Sequence, residues 1–183
     1  MPIPDLTLEL VPHCESVPRQ GWEGDHDVRP LSELGRRQAE ALVPAVGPQV
    51  DAIFSSPARR CRETVEPLAR ATGLPIECLE TLAESDGFRE PAEWVTGVYA
   101  PVAGAIGGAW SAGRMAHALT SMARRHPGGR VVASSHGDVI PALLAMLCGC
   151  TGTPLPAVVD RGGRYTVRLD HGTTTVTSHH PAS

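Results

Sequence analysis

Aromatic side chains are scarce in this chain, making up 4% of its 183 residues. Ring packing therefore cannot build the core, and alanine, valine and leucine must fill most of it. Long apolar runs are also missing. The longest weakly polar stretch, Gly97 to Gly113, is rich in glycine and alanine and too short and mixed to cross a bilayer. The N-terminus carries Asp5 and Glu9 and no basic leader, so no signal peptide and no membrane contact are expected, and a cytoplasmic location is the default. Excess positive charge is absent: the net charge is -4. The arginine clusters at 59–62 and 124–125 lack interleaved aromatics, which argues against a nucleic-acid partner.

Cysteine pairs at useful spacing are lacking as well. Cys14, Cys61, Cys78, Cys148 and Cys150 form an odd set of five, expected as reduced thiols. Cys148-Gly149-Cys150 is not a redox motif, and no second pair stands at zinc spacing, so no metal site is expected. His179-His180 reads as a surface pair in a tail expected to fray from Ser178.

What is present is the composition of an ordinary globular protein, 42% hydrophobic and 20% charged, of a length that suggests one domain over 1–183. Residues 6–11 read as a buried first strand. Ser32 is a candidate N-cap for a helix whose apolar face holds Leu34, Ala41, Leu42 and Val46. Residues 51–54 form a short strand, and Pro57 stands where a second helix begins; Pro67 should kink or shorten that helix. Further strands are expected over 74–79, 130–134, 158–159, 164–169 and 173–177, with helices over 111–126 and 139–147. The alternation predicts an α/β three-layer sandwich with a mainly parallel central sheet and helices on both faces.

In such a sheet, sites form at the carboxyl ends of strands. His13 follows the first strand, His136 follows the strand over 130–134, and Arg60 lies just beyond Ser55-Ser56-Pro57. Strand polarity can bring all three to one edge. Two imidazoles and a guanidinium suit a phosphoryl group: a neutral histidine attacks phosphorus, and arginine forks hold phosphate oxygens.

Strand then His13, strand then Ser55-Ser56-Pro57 and arginines, strand then Ser135-His136-Gly137: in that order the chain resembles the histidine phosphatase superfamily (phosphoglycerate mutase-like). The segments Arg19-x-Gly-Trp-x-Gly-Asp, Arg29-Pro30-Leu31-Ser32 and Gly35-x-x-Gln38-Ala39 are similar to the short bacterial phosphohistidine phosphatases and to related domains appended to nucleotide hydrolases. The resemblance implies a cofactor-free phosphatase acting on a small phosphorylated molecule or a phosphohistidine. It implies that His13 becomes phosphohistidine and that Arg19, Arg60 and His136 hold the phosphoryl group, with help from the Gly137 backbone. Glu84 is then the general acid, with Asp86 as second choice; that task needs a carboxyl kept partly protonated. A homodimer is common in such folds.

The chain departs from the family where Arg-His-Gly should stand, for it reads Pro12-His13-Cys14. Proline offers neither charge nor N–H donor, and losing one such donor costs about 10²–10³ in rate. Cys14 must point away or narrow the pocket, and a reactive thiol there is an alternative to an inert one. Three readings stay open: a phosphatase; a family member using His13, His136 and Glu84 as acid and base in another reaction; and a silent binding protein. A cap or lid over about 85–113 carries Trp94, Tyr99 and Trp110, suited either to stacking on a substrate or to packing.

Overall fold

The computed structural model describes residues 3–84, 88–96 and 101–181. A single six-stranded sheet organises them: β1 (Leu6–Pro12), β2 (Ala52–Ser55), β3 (Ile76–Cys78), β4 (Arg130–Ser135), β5 (Arg164–Asp170) and β6 (Thr173–His179). The spatial order is β3-β2-β4-β1-β5-β6. β3, β2, β4 and β1 run parallel, while β5 pairs antiparallel with β1, and β6 with β5. The fold is α/β with a mostly parallel sheet, as the alternation predicts. The helices are α1 (Glu33–Val46), α2 (Arg59–Thr72), the short α3 (Ala92–Val95), α4 (Ala105–Arg125) and α5 (Ile140–Thr151). No helix among the described residues is long and apolar enough to cross a membrane.

Side chains alternate across β1, and that alternation builds two cores. Leu6, Leu8 and Leu10 pack with Met115, Leu119 and Met122 of α4 and Leu143 and Leu144 of α5. Val11 packs on the other face with Ala39 and Leu42 of α1 and Val65 and Leu68 of α2. Aliphatic groups do supply most of this packing.

Ser32 caps α1, its Oγ accepting from the Gly35 amide at 3.0 Å. Gly35 is required for a separate reason: a Cβ there would stand 1.8 Å from the Glu15 carbonyl oxygen. The loop that follows His13 thus lies directly on the first turn of α1.

Several expectations are corrected. Pro67 does not shorten α2, which runs on to Thr72; burial of Pro67 and Leu68 outweighs one missing backbone bond. Residues 158–159 are not a strand, for no strand lies beside them, and Val158 is exposed in a loop. The tail does not fray at Ser178, because β6 pairs with β5 as far as His179 opposite Arg164. The strand expected over 74–79 shortens to Ile76–Cys78, and the helix expected from 111 begins at Ala105. The candidate acid Asp86 and the cap residue Tyr99 lie outside the described residues.

Candidate active site

Register brings the site together. Pro12 pairs with Ser135 at the ends of β1 and β4, and Ser55 of β2 pairs with Ser134. Neighbouring strands lie about 4.8 Å apart, so the residues that follow them, His13, His136 and Ser56, meet at one sheet edge. The His13 amide extends the ladder by donating to the Ser135 carbonyl at 2.8 Å. The rings of His13 and His136 meet edge to face, with centroids 5.6 Å apart.

His13 is buried, with 4% of its surface exposed. Its Nδ1 stands 2.8 Å from the Cys14 carbonyl, which only accepts, so Nδ1 carries the proton and Nε2 keeps its lone pair. Burial, and then the Arg161 guanidinium, push its pKa down to about 3. The imidazole is therefore neutral near pH 7, the state a nucleophile needs.

His136 turns Nδ1 toward the Glu84 carboxylate at 3.2 Å and Nε2 toward Ser56 Oγ at 2.8 Å. Arg60 is fully buried at the start of α2. Its Nη1 donates to the His26 carbonyl at 2.7 Å, and its Nη2 reaches Glu84 Oε1 at 2.8 Å. Glu84 thereby bridges Arg60 and His136. The hydrogen bond with His136, aided by the charges of His136 and Arg60, outweighs burial and holds the carboxyl well below the usual carboxylate range. Glu84 is ionised here, opposite to the partly protonated acid that the resemblance calls for.

The other expected residues are placed less directly. Arg19 is exposed and makes no hydrogen bond to His13, Arg60 or His136 among the described residues; it acts at range on Arg29. Gly137 lies exposed in the turn between β4 and α5 and lines a cavity of about 270 Å³ with Pro12, Ile140, Asp160, Arg161 and Tyr165. The Cys14 side chain points away from the site into the core beside Val11 and Leu31, and its amide donates to Thr64 Oγ1 at 2.9 Å. Burial pushes the Cys14 thiol up to about 11 and the Cys61 thiol to about 12, so both are inert at neutral pH.

Two arginines were missed. Arg29 is buried, its Nη1 donating to Ser16 Oγ and the Val17 carbonyl, each at 2.6 Å. Arg161 places Nη1 3.0 Å from His13 Nε2 and 2.6 Å from the His13 carbonyl. No spacing motif could have found it, since 148 residues separate it from His13. The signal is the direction of β5: antiparallel pairing sets Tyr165 opposite Leu10, which carries the turn before β5 to the end of β1.

Comparison with known proteins now decides the family. The sequence profile described as Histidine phosphatase superfamily (branch 1) matches residues 8–89 and 100–180. The chain belongs to the histidine phosphatase superfamily. An 8-oxo-(d)GTP phosphatase of Mycolicibacterium smegmatis is 38% identical over 72 residues, 38% of this chain and 22% of that protein. The match thus spans about a fifth of the relative's length. Among solved structures, YhfR of Bacillus stearothermophilus superposes with a TM-score of 0.69 at 24% identity, covering 97% of this chain and 98% of that one. The protein histidine phosphatase SixA, solved with tungstate, gives 0.64 at 20% identity over 96% and 97% of the two chains. The fold is shared along nearly the whole length of both.

The buried neutral His13 of this superfamily member has a consequence for stability. An unfolded histidine titrates near about 6.5, whereas His13 in the fold titrates at about 3. Between those values the unfolded chain binds a proton that the folded chain refuses, so stability is lost as pH falls through that window. Urea unfolding at several pH values should show a slope from this residue approaching about 1.4 kcal/mol per pH unit. His13→Gln should remove that part of the slope. An unchanged slope in the variant would refute the assignment. Glu84 adds its own acid loss at lower pH, as its depressed carboxylate becomes protonated.

Proposed function

We propose that this chain is a metal-independent phosphatase for a small phosphorylated metabolite, working through a phosphohistidine on His13. One observation carries the reading: a neutral imidazole, its tautomer set by the Cys14 carbonyl, presents Nε2 beside two guanidinium groups and a second histidine. Nε2 attacks phosphorus, and the bond from phosphorus to the leaving oxygen breaks. Arg60 and His136 carry the charge that builds on the phosphoryl oxygens. Water then attacks the phosphorus, breaks the N–P bond and returns neutral His13 with inorganic phosphate.

The leaving oxygen needs a proton, and Glu84 is its source in this scheme. The free site holds Glu84 ionised through Arg60 and His136. An arriving phosphate competes for the same two partners. Each contact it takes weakens the hold on the carboxylate and raises its proton affinity, so substrate binding arms the acid.

In this reading residues 88–96 and 101–113, the described part of the expected cap, cover the site as part of one domain. Arg114 of α4 donates to the Glu84 carbonyl at 3.1 Å and to the Glu80 carbonyl. Phe88 stacks on Trp110 with centroids 4.9 Å apart. The likeness to an 8-oxo-(d)GTP phosphatase and the fold shared with SixA put nucleotides and phosphohistidine on the test panel. Phosphate release from nucleotides, sugar phosphates and a phosphohistidine peptide should be measured with and without a chelator. Release from at least one substrate, unchanged by chelation, is expected. No release from any of them would turn attention to acid–base chemistry or to binding alone.

A further inference from the structure

The cations of the site differ in how they are held. Arg60 is committed to the His26 carbonyl, to Glu84 and to His136, and Arg29 to Ser16 and the Val17 carbonyl. Arg161 lies in an exposed turn, and no carboxylate pairs with it among the described residues. Its hydrogen-bonding contacts are all with His13. It also lines the 270 Å³ cavity together with Pro12, which contributes no charge and no donor there.

We propose that Arg161 is a phosphoryl-binding arginine of this site, delivered from the turn before β5 to the place where Pro12 supplies no cation. The proposal rests on His13 acting as the nucleophile. Phosphorus must come within about 3–3.5 Å of Nε2 for attack. Arg161 Nη1 stands 2.9 Å from His13 Nδ1 and 3.0 Å from Nε2, over the face of the ring and beside the in-plane lone pair that phosphorus approaches. A phosphoryl group that approaches Nε2 therefore arrives next to the guanidinium, whose planar fork turns from the ring onto two of its oxygens.

The backbone beneath this side chain is set, while the guanidinium hydrogen-bonds only to His13 among the described residues. The Gly163 amide donates to the Asp160 carbonyl at 2.9 Å, closing the turn. A Cβ at Gly163 would stand 2.8 Å from the His179 carbonyl oxygen, so β6 packs tightly against the base of the turn. The β1–β5 ladder fixes where Arg161 starts, and its own rotamers decide where the guanidinium lands.

The test compares wild type with Arg161→Ala, Arg161→Lys and the double variant Pro12→Arg/Arg161→Ala. Each is read for kcat and KM on the best substrate, and by calorimetry for binding of inorganic phosphate. Arg161→Ala should lower kcat/KM by about 10²–10³-fold and weaken phosphate binding at least tenfold, with Arg161→Lys in between. Returning a guanidinium at position 12 should recover at least tenfold over Arg161→Ala. Wild-type turnover and phosphate affinity in Arg161→Ala would overturn the proposal, and with His13→Ala inactive the phosphatase reading would still stand. Failure of the double variant to recover would overturn the link to Pro12. If wild type turns over nothing, the phosphatase reading fails; phosphate binding that still depends on Arg161 would support it as the anion ligand, and binding that does not would overturn that too.

Discussion

Replacing His13 with alanine is expected to abolish phosphate release, with a loss on the order of 10⁴-fold or more, the scale seen when a catalytic nucleophile is removed. The side chain is a neutral base with its tautomer fixed by the Cys14 carbonyl, and neither neighbouring candidate among the described residues can take its place. Cys14 is adjacent but points into the core with its thiol pushed up to about 11. His136 has Nδ1 against Glu84 and Nε2 against Ser56. The sharper measurement is chemical. Rapid quench with labelled substrate should trap one acid-labile, base-stable phosphoryl group per wild-type chain and none on His13→Ala. Turnover that survives in His13→Ala would mean that water is activated directly by another group.

The second large effect is expected at Arg60, and on stability. Its guanidinium is buried between the His26 carbonyl, Glu84 and His136. Arg60→Met should destabilise the fold by about 3–5 kcal/mol, because a half-buried carboxylate is left without its cation. Adding Glu84→Gln should recover part of that loss, since the stranded charge then disappears. A double-mutant cycle in urea isolates the coupling. Strict additivity would show that the two side chains do not act as a pair. Both single variants should also lower kcat/KM by 10²-fold or so.

Much of this site was legible before any coordinates. His13 and His136 each follow an apolar run directly, and Arg60 follows Ser55-Ser56-Pro57, so a parallel sheet had to place them on one edge. Glu84 was found through family likeness rather than through physics, and its neighbour Asp86 lies outside the described residues. Its ionised state was not legible, because a carboxylate's protonation depends on which cations the fold brings within about 3 Å. Arg19 was expected among the phosphoryl ligands; it stands exposed, with no hydrogen bond to His13, Arg60 or His136 among the described residues. Cys14 illustrates a choice that sequence leaves open: a side chain at a strand end takes one face or the other, and here the Thr64 hydroxyl and the core beside Val11 decide it.

Local patterning by itself determined the α/β class, the N-cap at Ser32, the strand-end histidines and the absence of a cation at Pro12. These rest on neighbouring residues, on apolar periodicity and on strand polarity, which a linear chain displays. The tertiary structure alone decided the order of the sheet, the antiparallel return of β5, the ion pairs of Glu84 and the arrival of Arg161 at His13. Each of those is a long-range pairing, and its free energy depends on which surfaces the whole fold buries together.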